Sequence, residues 1–290
     1  MIKFKVNSCD GVYDSLDVRF TKKCDNNCSF CIEKKGINNL GEPNVEAMIS
    51  STLKSGKKDI LILGGEPLLY PELILKYING IRKSVDTIYL TSSLPKIAAE
   101  KFDIVSEIIY LLDGINISFH HYDVEKNNEI LKSSVPYNRL DLLAKLLKDK
   151  RIAKKIRVCC NLTAGYISSH KEIDIFAIRM ASIGVQHIKF NELQNVKKDT
   201  YISFEKAYGI KMKSPFSHGC QTDISNLFNI EGLKVTLKRS CFCNVAPEIA
   251  QATFTDLIKC LCKRIHTNKQ HNLKVMYENG DIYEGWQIKK

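Results

Sequence analysis

Residues 59–73 read DILILGGEPLLYPEL, and this stretch decides the fold class. The run DILILGG (59–65) is apolar for most of its length and is bounded by turn residues, which is typical of a buried strand. Pro71 then predicts the first turn of a helix, because proline is favoured at that position. A buried strand followed at once by a helix is the βα unit of parallel sheets.

Strand-like and helix-like runs alternate on both sides of this unit. The other predicted strands are SLDVRFT (15–21), TIYLTSS (87–93), INISFHH (115–121), IRVCCNL (156–162) and HIKFNEL (187–193). Helical runs separate them, and one begins with the capping-box pair Ser169 and Glu172. The alternation predicts an α/β fold with a parallel sheet, in which the chemistry belongs at the carboxyl ends of the strands.

The residues CDNNCSFC (24–31) place Cys24, Cys28 and Cys31 in the spacing C-x3-C-x2-C. Three thiolates in one short loop can hold three corners of a cubane iron–sulfur cluster and leave the fourth iron open for a ligand. A structural zinc site is the alternative, and it normally takes four ligands. No fourth cysteine or histidine lies close by in the sequence, so the spacing favours the cluster.

These three cysteines, followed by Gly64-Gly65-Glu66-Pro67 at the end of the buried strand, resemble the radical S-adenosylmethionine (SAM) superfamily over roughly residues 15–195. The resemblance implies a partial (β/α)6 TIM-like barrel and a 4Fe–4S cluster on Cys24, Cys28 and Cys31. In the family, the open iron chelates the amino and carboxylate groups of SAM. One electron then cleaves SAM to methionine and a 5′-deoxyadenosyl radical, which removes hydrogen from an unactivated carbon.

The resemblance also implies which residues bind SAM. The segment Gly64-Gly65-Glu66 stands where the family hydrogen-bonds the SAM amino group, and its glycines let the backbone approach a ligand closely. Phe30 stands where the family has an aromatic residue near the adenine. Ser118 and Asn161 occupy strand ends at which family members often contact the SAM carboxylate or ribose. For each strand-end residue, a bond to neighbouring backbone is the alternative.

Three more titratable residues lie at strand ends. His120 and His121 follow the fourth strand, and one of them could face the substrate and move a proton. Packing or surface exposure is the other interpretation of these histidines. Glu192, in the sixth strand, could bind substrate or SAM, or it could pair with Lys189.

The sequence predicts a division into a core barrel over residues 1–195 and a small α+β extension over 196–290. The extension is expected to contain a hairpin around Gly232, a helix over 247–265, and a second hairpin with a type I′ turn at Asn279-Gly280.

Three cysteines of the extension, Cys220, Cys241 and Cys243, are candidate ligands of a second iron–sulfur cluster. Free buried thiols are the alternative, because cysteine is often buried and the seven-cysteine pattern of larger family members is absent. The remaining cysteine pairs are interpreted as core residues, because adjacent or alternate positions point their thiols apart: Cys159, Cys160, Cys260 and Cys262.

Composition bounds the compartment and the partners. The chain of 290 residues has no apolar run long enough to cross a bilayer and no signal-peptide core, so a cytoplasmic protein without a membrane segment is expected. Its formal charge of +11 suits an acidic electron donor such as a flavodoxin, an acidic peptide or a phosphate-bearing substrate. A solvated lysine-rich surface explains the same charge equally well.

The prediction is a radical SAM enzyme that acts on a peptide or a small natural-product precursor. An alternative keeps the enzyme class and changes the substrate to a nucleoside or a tRNA base. Nucleic acid is not favoured, because the densest lysine run, KDKRIAKK (148–155), is not a nucleic-acid motif. A third hypothesis, an iron–sulfur electron carrier or metal-sensing module, leaves GGEP and the six βα units unexplained.

Overall fold

The strand predicted at 59–65 spans Asp59–Leu63 (β2) and is hydrogen-bonded on both sides to parallel neighbours. The structure is a computed structural model that describes residues 15–193, 196, 199–210, 221–239 and 274–287. On one side lies Ser15–Arg19 (β1), and on the other lie Thr87–Ser92 (β3) and then Gly114–Ser118 (β4). These four strands pair in parallel in the order β1, β2, β3, β4, as predicted.

The chain divides into two compact units. Of the described residues, 15–118, 131–156 and 274–287 form the larger unit, and 119–130, 157–193, 196, 199–210 and 221–239 form the smaller unit. Strands β1 to β4 belong to the larger unit. The predicted division at residue 195 follows different limits and stays a prediction.

Helices of the larger unit follow its strands. They are α1 (Val45–Ser55), α2 (Pro71–Ile81), α3 (Lys96–Glu100), α4 (Phe102–Leu111), α6 (Arg139–Leu147) and α7 (Lys150–Ala153). The helix α5 (Val124–Leu131) comes between α4 and α6 in the chain. The helical run between β3 and β4 is divided into two helices, α3 and α4, because Lys101 between them has a non-helical backbone (φ −106°, ψ 38°). As predicted, α2 begins at Pro71, and it buries Ile74, Tyr77 and Ile78.

The last described segment adds a hairpin to the larger unit. Lys274–Met276 (β9) pairs in parallel with β1, and Ile282–Glu284 (β10) pairs antiparallel with β9. The prediction of a type I′ turn is wrong. Gly280 has φ 87°, but Asn279 lacks the positive φ that this turn also requires.

A buried ion pair joins β1 to this hairpin. The Arg19 guanidinium donates to the Glu278 carboxylate at 2.7 and 2.9 Å, and both side chains are fully buried. Arg19 also lies 4.2 Å from the centre of the Tyr277 ring and donates to the carbonyls of Ile37 and Asn38 at 3.1 and 3.2 Å. These bonds anchor the chain that follows the cysteine loop to β1 and to the hairpin.

In the smaller unit, the strands run in the order β5 (Ile156–Leu162), β6 (His187–Glu192), β8 (Lys234–Lys238) and β7 (Gln221–Asp223). Strands β5, β6 and β8 are parallel, whereas β7 is antiparallel to β8. The hairpin expected around Gly232 is formed by β7 and β8, and a short 3-10 helix, Ser225–Leu227, lies in the connection between them.

One face of this smaller sheet is apolar. The helix α8 (His170–Ser182) begins with the predicted capping box at Ser169 and buries Ile173, Phe176, Ala177 and Met180. Phe190 of β6 lies 5.7 Å from the Phe176 ring, and it also contacts Phe228 at 6.1 Å and Phe204 of α9 (Phe204–Tyr208) at 6.3 Å. Because successive strand residues point to opposite faces, the neighbours of Phe190 point away from this aromatic cluster.

Several predictions fall on residues that the structure does not describe. The helix over 247–265 and the cysteines Cys220, Cys241, Cys243, Cys260 and Cys262 lie outside the described residues. Within the described part of the chain, no helix is both long enough and apolar enough to cross a membrane.

Removing one partner of the buried ion pair should destabilise the fold. Glu278→Ala leaves the Arg19 charge buried, so we expect the free energy of unfolding to fall by about 3–5 kcal/mol. Urea unfolding of the purified protein measures the change. Glu46→Ala is the matched control: Glu46 pairs with Lys76 on the surface, where such pairs contribute about 0–1 kcal/mol. Equal effects of the two substitutions would contradict the structural importance of the buried pair.

Candidate active site

The three predicted ligand cysteines lie in one loop of the larger unit, just after β1. Cys24 is exposed, Cys28 and Cys31 are half-buried, and all three are free thiols. The Cys31 amide donates to the Cys28 carbonyl at 3.2 Å, and the Cys28 sulfur lies 3.5 Å from the Leu131 carbonyl. The three cysteines therefore lie in one short loop, as their spacing in the sequence predicts.

Backbone contacts from the segment before α6 hold this loop. The Asn27 amide donates to the Leu131 carbonyl at 2.8 Å. The Ser134 amide and hydroxyl both donate to the Asp25 carbonyl at 2.8 Å. The loop between the first two cysteines is thus bonded to residues that lie far away in the sequence.

Arg139, the first residue of α6, adds a buried charge beneath the loop. Its side chain is 1% exposed, and the guanidinium donates to the Asn26 side-chain oxygen at 3.2 Å and to the Ser133 hydroxyl at 2.9 Å. It also lies 3.7 Å from the Asp25 carboxylate. Sequence reasoning missed Arg139. A signal was present, because a cation in the first turn of a helix opposes the helix dipole and needs another reason to be there.

The thiols suit an iron–sulfur cluster. Although part of Cys24 is exposed, its sulfur is largely surrounded by protein, and this desolvation raises the pKa of the Cys24 thiol to about 12 and that of Cys28 to about 11. Both thiols are therefore protonated at neutral pH unless a metal replaces the proton. The Asn26 amide points at the Cys24 sulfur from 3.4 Å, a contact of the kind that tunes cluster potential. Within the described residues, no three or more His, Cys, Asp or Glu side chains are placed to hold a single metal ion. In a cubane each cysteine binds a different iron, so the thiols need not converge on one point.

The GGEP turn lies directly against the connection from β1 to the cysteines. The Gly65 amide donates to the Thr21 carbonyl at 2.7 Å, and the Glu66 amide donates to the Lys23 carbonyl at 2.8 Å. A Cβ atom on Gly65 would lie 2.2 Å from the Lys23 carbonyl oxygen, and Gly64 has φ 132°. Both glycines are therefore needed for this close approach.

Glu66 is 1% exposed, and its carboxylate accepts four hydrogen bonds from the protein. One oxygen accepts from the Leu68 amide at 3.0 Å and the Ser92 hydroxyl at 2.7 Å, and the other accepts from the Ser93 amide and hydroxyl at 2.7 and 2.6 Å. Burial raises the pKa of this carboxyl group, and the hydrogen bonds oppose that shift. The Ser93 hydroxyl also accepts from the Asn26 side chain at 2.8 Å, which links Glu66 to the cysteine loop. A contact between Glu66 and SAM stays a prediction.

The other predicted SAM residues lie in both units. In the larger unit, Phe30 is half-buried next to Cys31, and Ser118 is the half-buried last residue of β4. In the smaller unit, Asn161 of β5 accepts a hydrogen bond from the Asn191 side chain at 3.1 Å. The roles of Phe30, Ser118 and Asn161 stay predictions.

The two histidines after β4 are packed in the smaller unit. Burial lowers the pKa of His120 to about 4, so its ring is neutral at neutral pH, and the ring Nδ1 accepts from the Asn161 amide at 3.2 Å. His121 is 1% exposed, its Nδ1 accepts from the Asp123 amide at 2.9 Å, and burial lowers its pKa as well. Both rings thus take part in hydrogen bonds that shape the strand end.

Glu192 does not pair with Lys189. Its carboxylate accepts from the Phe204 amide at 2.9 Å and forms an ion pair with Arg239 at 3.8 Å. Glu192 and Lys189 are an odd number of residues apart in one strand, so they point to opposite faces.

Solved structures share the fold of this chain. Streptococcus suis SuiB bound to S-adenosylmethionine superposes with a TM-score of 0.59 at 15% identity, over 93% of this chain and 60% of SuiB. A radical SAM methyltransferase from Sphaerobacter thermophilus superposes with a TM-score of 0.55 at 13% identity, over 75% of this chain and 63% of that one. The chain thus spans less than two thirds of either structure. The similarity confirms the predicted fold class, an α/β fold of the partial TIM-like barrel type.

Two curated relatives are GTP 3′,8-cyclases. GTP 3′,8-cyclase of Campylobacter fetus subsp. fetus is 26% identical over 315 residues, which cover 98% of this chain and 89% of the relative. GTP 3′,8-cyclase of Aliarcobacter butzleri is 25% identical over 175 residues, covering 57% of this chain and half of that protein.

A family model, the radical SAM superfamily, matches residues 18–177, more than half of the chain. This stretch contains the three cysteines and the GGEP turn. The predicted enzyme class and the predicted cofactors, a 4Fe–4S cluster and SAM, are confirmed by the match. The chain belongs to the radical SAM superfamily.

Proposed function

We propose that Cys24, Cys28 and Cys31 hold the 4Fe–4S cluster of this radical SAM enzyme and that the substrate is a small nucleotide. The observation that carries the cluster assignment is the single loop of three thiols held against the Gly65–Glu66 turn by two backbone hydrogen bonds. The nucleotide is supported by the curated GTP 3′,8-cyclases, one of which aligns with 98% of this chain.

In the reaction, the protein's own residues hold the cysteine loop in place and orient SAM. When bound, the cluster supplies the electron that converts SAM to a 5′-deoxyadenosyl radical. Arg139 and the Leu131 carbonyl keep the cysteine loop in place, and the backbone of Gly64 and Gly65 is open to close approach by the SAM amino group. Phe30 would lie against the adenine, while Ser118 and Asn161 would bind the carboxylate or the ribose.

The nucleotide assignment differs from the sequence prediction, which placed a peptide or natural-product precursor first and a nucleoside or a tRNA base second. A phosphate-bearing substrate also suits the charge of +11. The same charge suits an acidic, flavodoxin-like reductant, which we propose as the electron donor. A second cluster on Cys220, Cys241 and Cys243 remains a proposal.

Each of the three loop cysteines should be required for iron binding. In Cys24→Ala, Cys28→Ala and Cys31→Ala, we expect the loss of the cluster and of 5′-deoxyadenosine formation, because each thiolate binds a separate iron. Iron and sulfide analysis of anaerobically reconstituted protein and chromatography of the products measure both effects. Cys160→Ala is the control, because this thiol is fully buried in β5 beside the His120 carbonyl.

If any of the three variants binds as much iron as the wild type, the ligand assignment is wrong.

The same iron and sulfide analysis tests the second cluster. About four irons per wild-type chain indicate one cluster, and about eight indicate two. Substitution of Cys241 and Cys243 should lower a count of eight to four.

A nucleotide should stimulate SAM cleavage. We expect the reduced enzyme to form 5′-deoxyadenosine faster with GTP or another purine nucleoside triphosphate than with SAM alone, because substrate supplies the hydrogen that the radical removes. With fully deuterated GTP, mass spectrometry should find deuterium in 5′-deoxyadenosine. If every nucleotide leaves the rate unchanged while a synthetic peptide library raises it, the nucleotide assignment is wrong and the peptide assignment is right.

A further inference from the structure

A series of hydrogen bonds connects the Glu66 carboxylate to the sulfur of Cys24. The Ser93 hydroxyl donates to Glu66 at 2.6 Å and accepts from the Asn26 side chain at 2.8 Å. The backbone amide of Asn26 donates to the Cys24 sulfur at 3.4 Å. We call these four residues the Asn26 network. Through it, the first cysteine of the loop is joined to the turn after β2.

Arg139 fixes the direction of the bonds that the Asn26 side chain makes. A guanidinium only donates, so the side-chain oxygen of Asn26 faces Arg139, from which it accepts at 3.2 Å. The NH2 group of Asn26 then faces Ser93, whose hydroxyl accepts from it and gives its single hydrogen to Glu66. The side-chain amide of Asn26 therefore has one orientation, with a hydrogen bond on each side.

The partners that hold the Asn26 side chain are buried. Ser93, Glu66 and Arg139 all lie inside the larger unit, where packed neighbours restrict their motion. A short side chain bonded to such partners on two sides fixes the backbone from which it projects. The backbone amide of Asn26 is therefore kept in place on the Cys24 sulfur, although the cysteine itself is exposed.

An N–H group that donates to a ligand sulfur favours the reduced state of an iron–sulfur cluster. The electron that the reductant supplies adds negative charge, and part of this charge lies on the ligand sulfurs. A hydrogen-bond donor stabilises the added charge and so raises the reduction potential. Hydrogen bonds weaken as their geometry is lost, so a residue that fixes the donor also fixes its contribution to the potential.

We propose that Asn26 is a positioning residue that raises the reduction potential of the cluster by holding its backbone amide on the Cys24 sulfur. This inference rests on the proposed assignment of the cluster to Cys24, Cys28 and Cys31. It adds a residue between the first two ligands that acts through one of them. The side chain of Asn26 anchors the amide, and Ser93 and Arg139 anchor the side chain.

Potentiometric titration of the anaerobically reconstituted protein tests this role, with the electron paramagnetic resonance signal of the reduced cluster as the readout. In Asn26→Ala we expect wild-type iron content and a lower potential. At the wild-type midpoint, the ratio of reduced to oxidised cluster should fall by about two- to tenfold, the effect of one hydrogen bond. Asn27→Ala is the matched control and should keep the wild-type potential, because Asn27 is exposed and bonds to Leu131 through its backbone.

A second variant, Ser93→Ala, breaks the Asn26 network without changing the cysteine loop. We expect it to lower the potential as well. Ser92→Ala is its control and should keep the wild-type potential, because the Ser92 hydroxyl donates to the other oxygen of the Glu66 carboxylate, at 2.7 Å. The double variant of Asn26 and Ser93 should have the potential of Asn26→Ala alone, because both changes interrupt the same series of bonds.

Two results would overturn the proposal: wild-type potentials in iron-loaded Asn26→Ala and Ser93→Ala, or shifts of the two variants that add in the double variant. If Asn26→Ala binds no iron, Ser93→Ala and Ser92→Ala decide the question by themselves. The cluster assignment fails separately, because it is wrong if Cys24→Ala keeps the iron content of the wild type, whatever the potentials of the Asn26 and Ser93 variants.

Discussion

Two backbone hydrogen bonds between the turn after β2 and the chain after β1 are the constraint on which the candidate site depends. Through them Gly65 and Glu66 lie against the carbonyls of Thr21 and Lys23, one residue before the first cysteine. A side chain at Gly65 would collide with that backbone, so the contact needs glycine. The GGEP turn and the cysteine loop therefore form one structural element, although they come from different βα units.

Two buried arginines stabilise the cysteine loop from opposite ends. Arg139 bonds to the chain between the first two cysteines, and Arg19 bonds to the residues that follow the third, at Ile37 and Asn38. Each arginine has a carboxylate partner, Asp25 for Arg139 and Glu278 for Arg19. The loop is polar and has little apolar surface of its own, so buried ion pairs hold it in place. Removing either partner of a buried ion pair strongly destabilises a fold.

The smaller unit shows how one strand serves two purposes. In β6, Phe190 packs into the aromatic cluster beneath α8, while Lys189 and Asn191 lie on the other face. The two-residue period of a strand makes this separation automatic. One face stabilises the fold by burying rings, and the other carries polar side chains.

The sequence by itself determined the local features of this protein. The strands β1 to β6, the helix start at Pro71 and the capping box at Ser169 follow from the hydrophobic period and from end signals that act over a few residues. The cysteine spacing and GGEP determined the family in the same way. Only the tertiary structure decided that β9 pairs with β1, that Glu278 meets Arg19 across 259 residues, and that Arg139 supports the cysteine loop. No local pattern encodes these contacts, because the partner of a buried charge is chosen by where the fold brings distant chain segments together, whereas a strand or a turn is specified by adjacent residues.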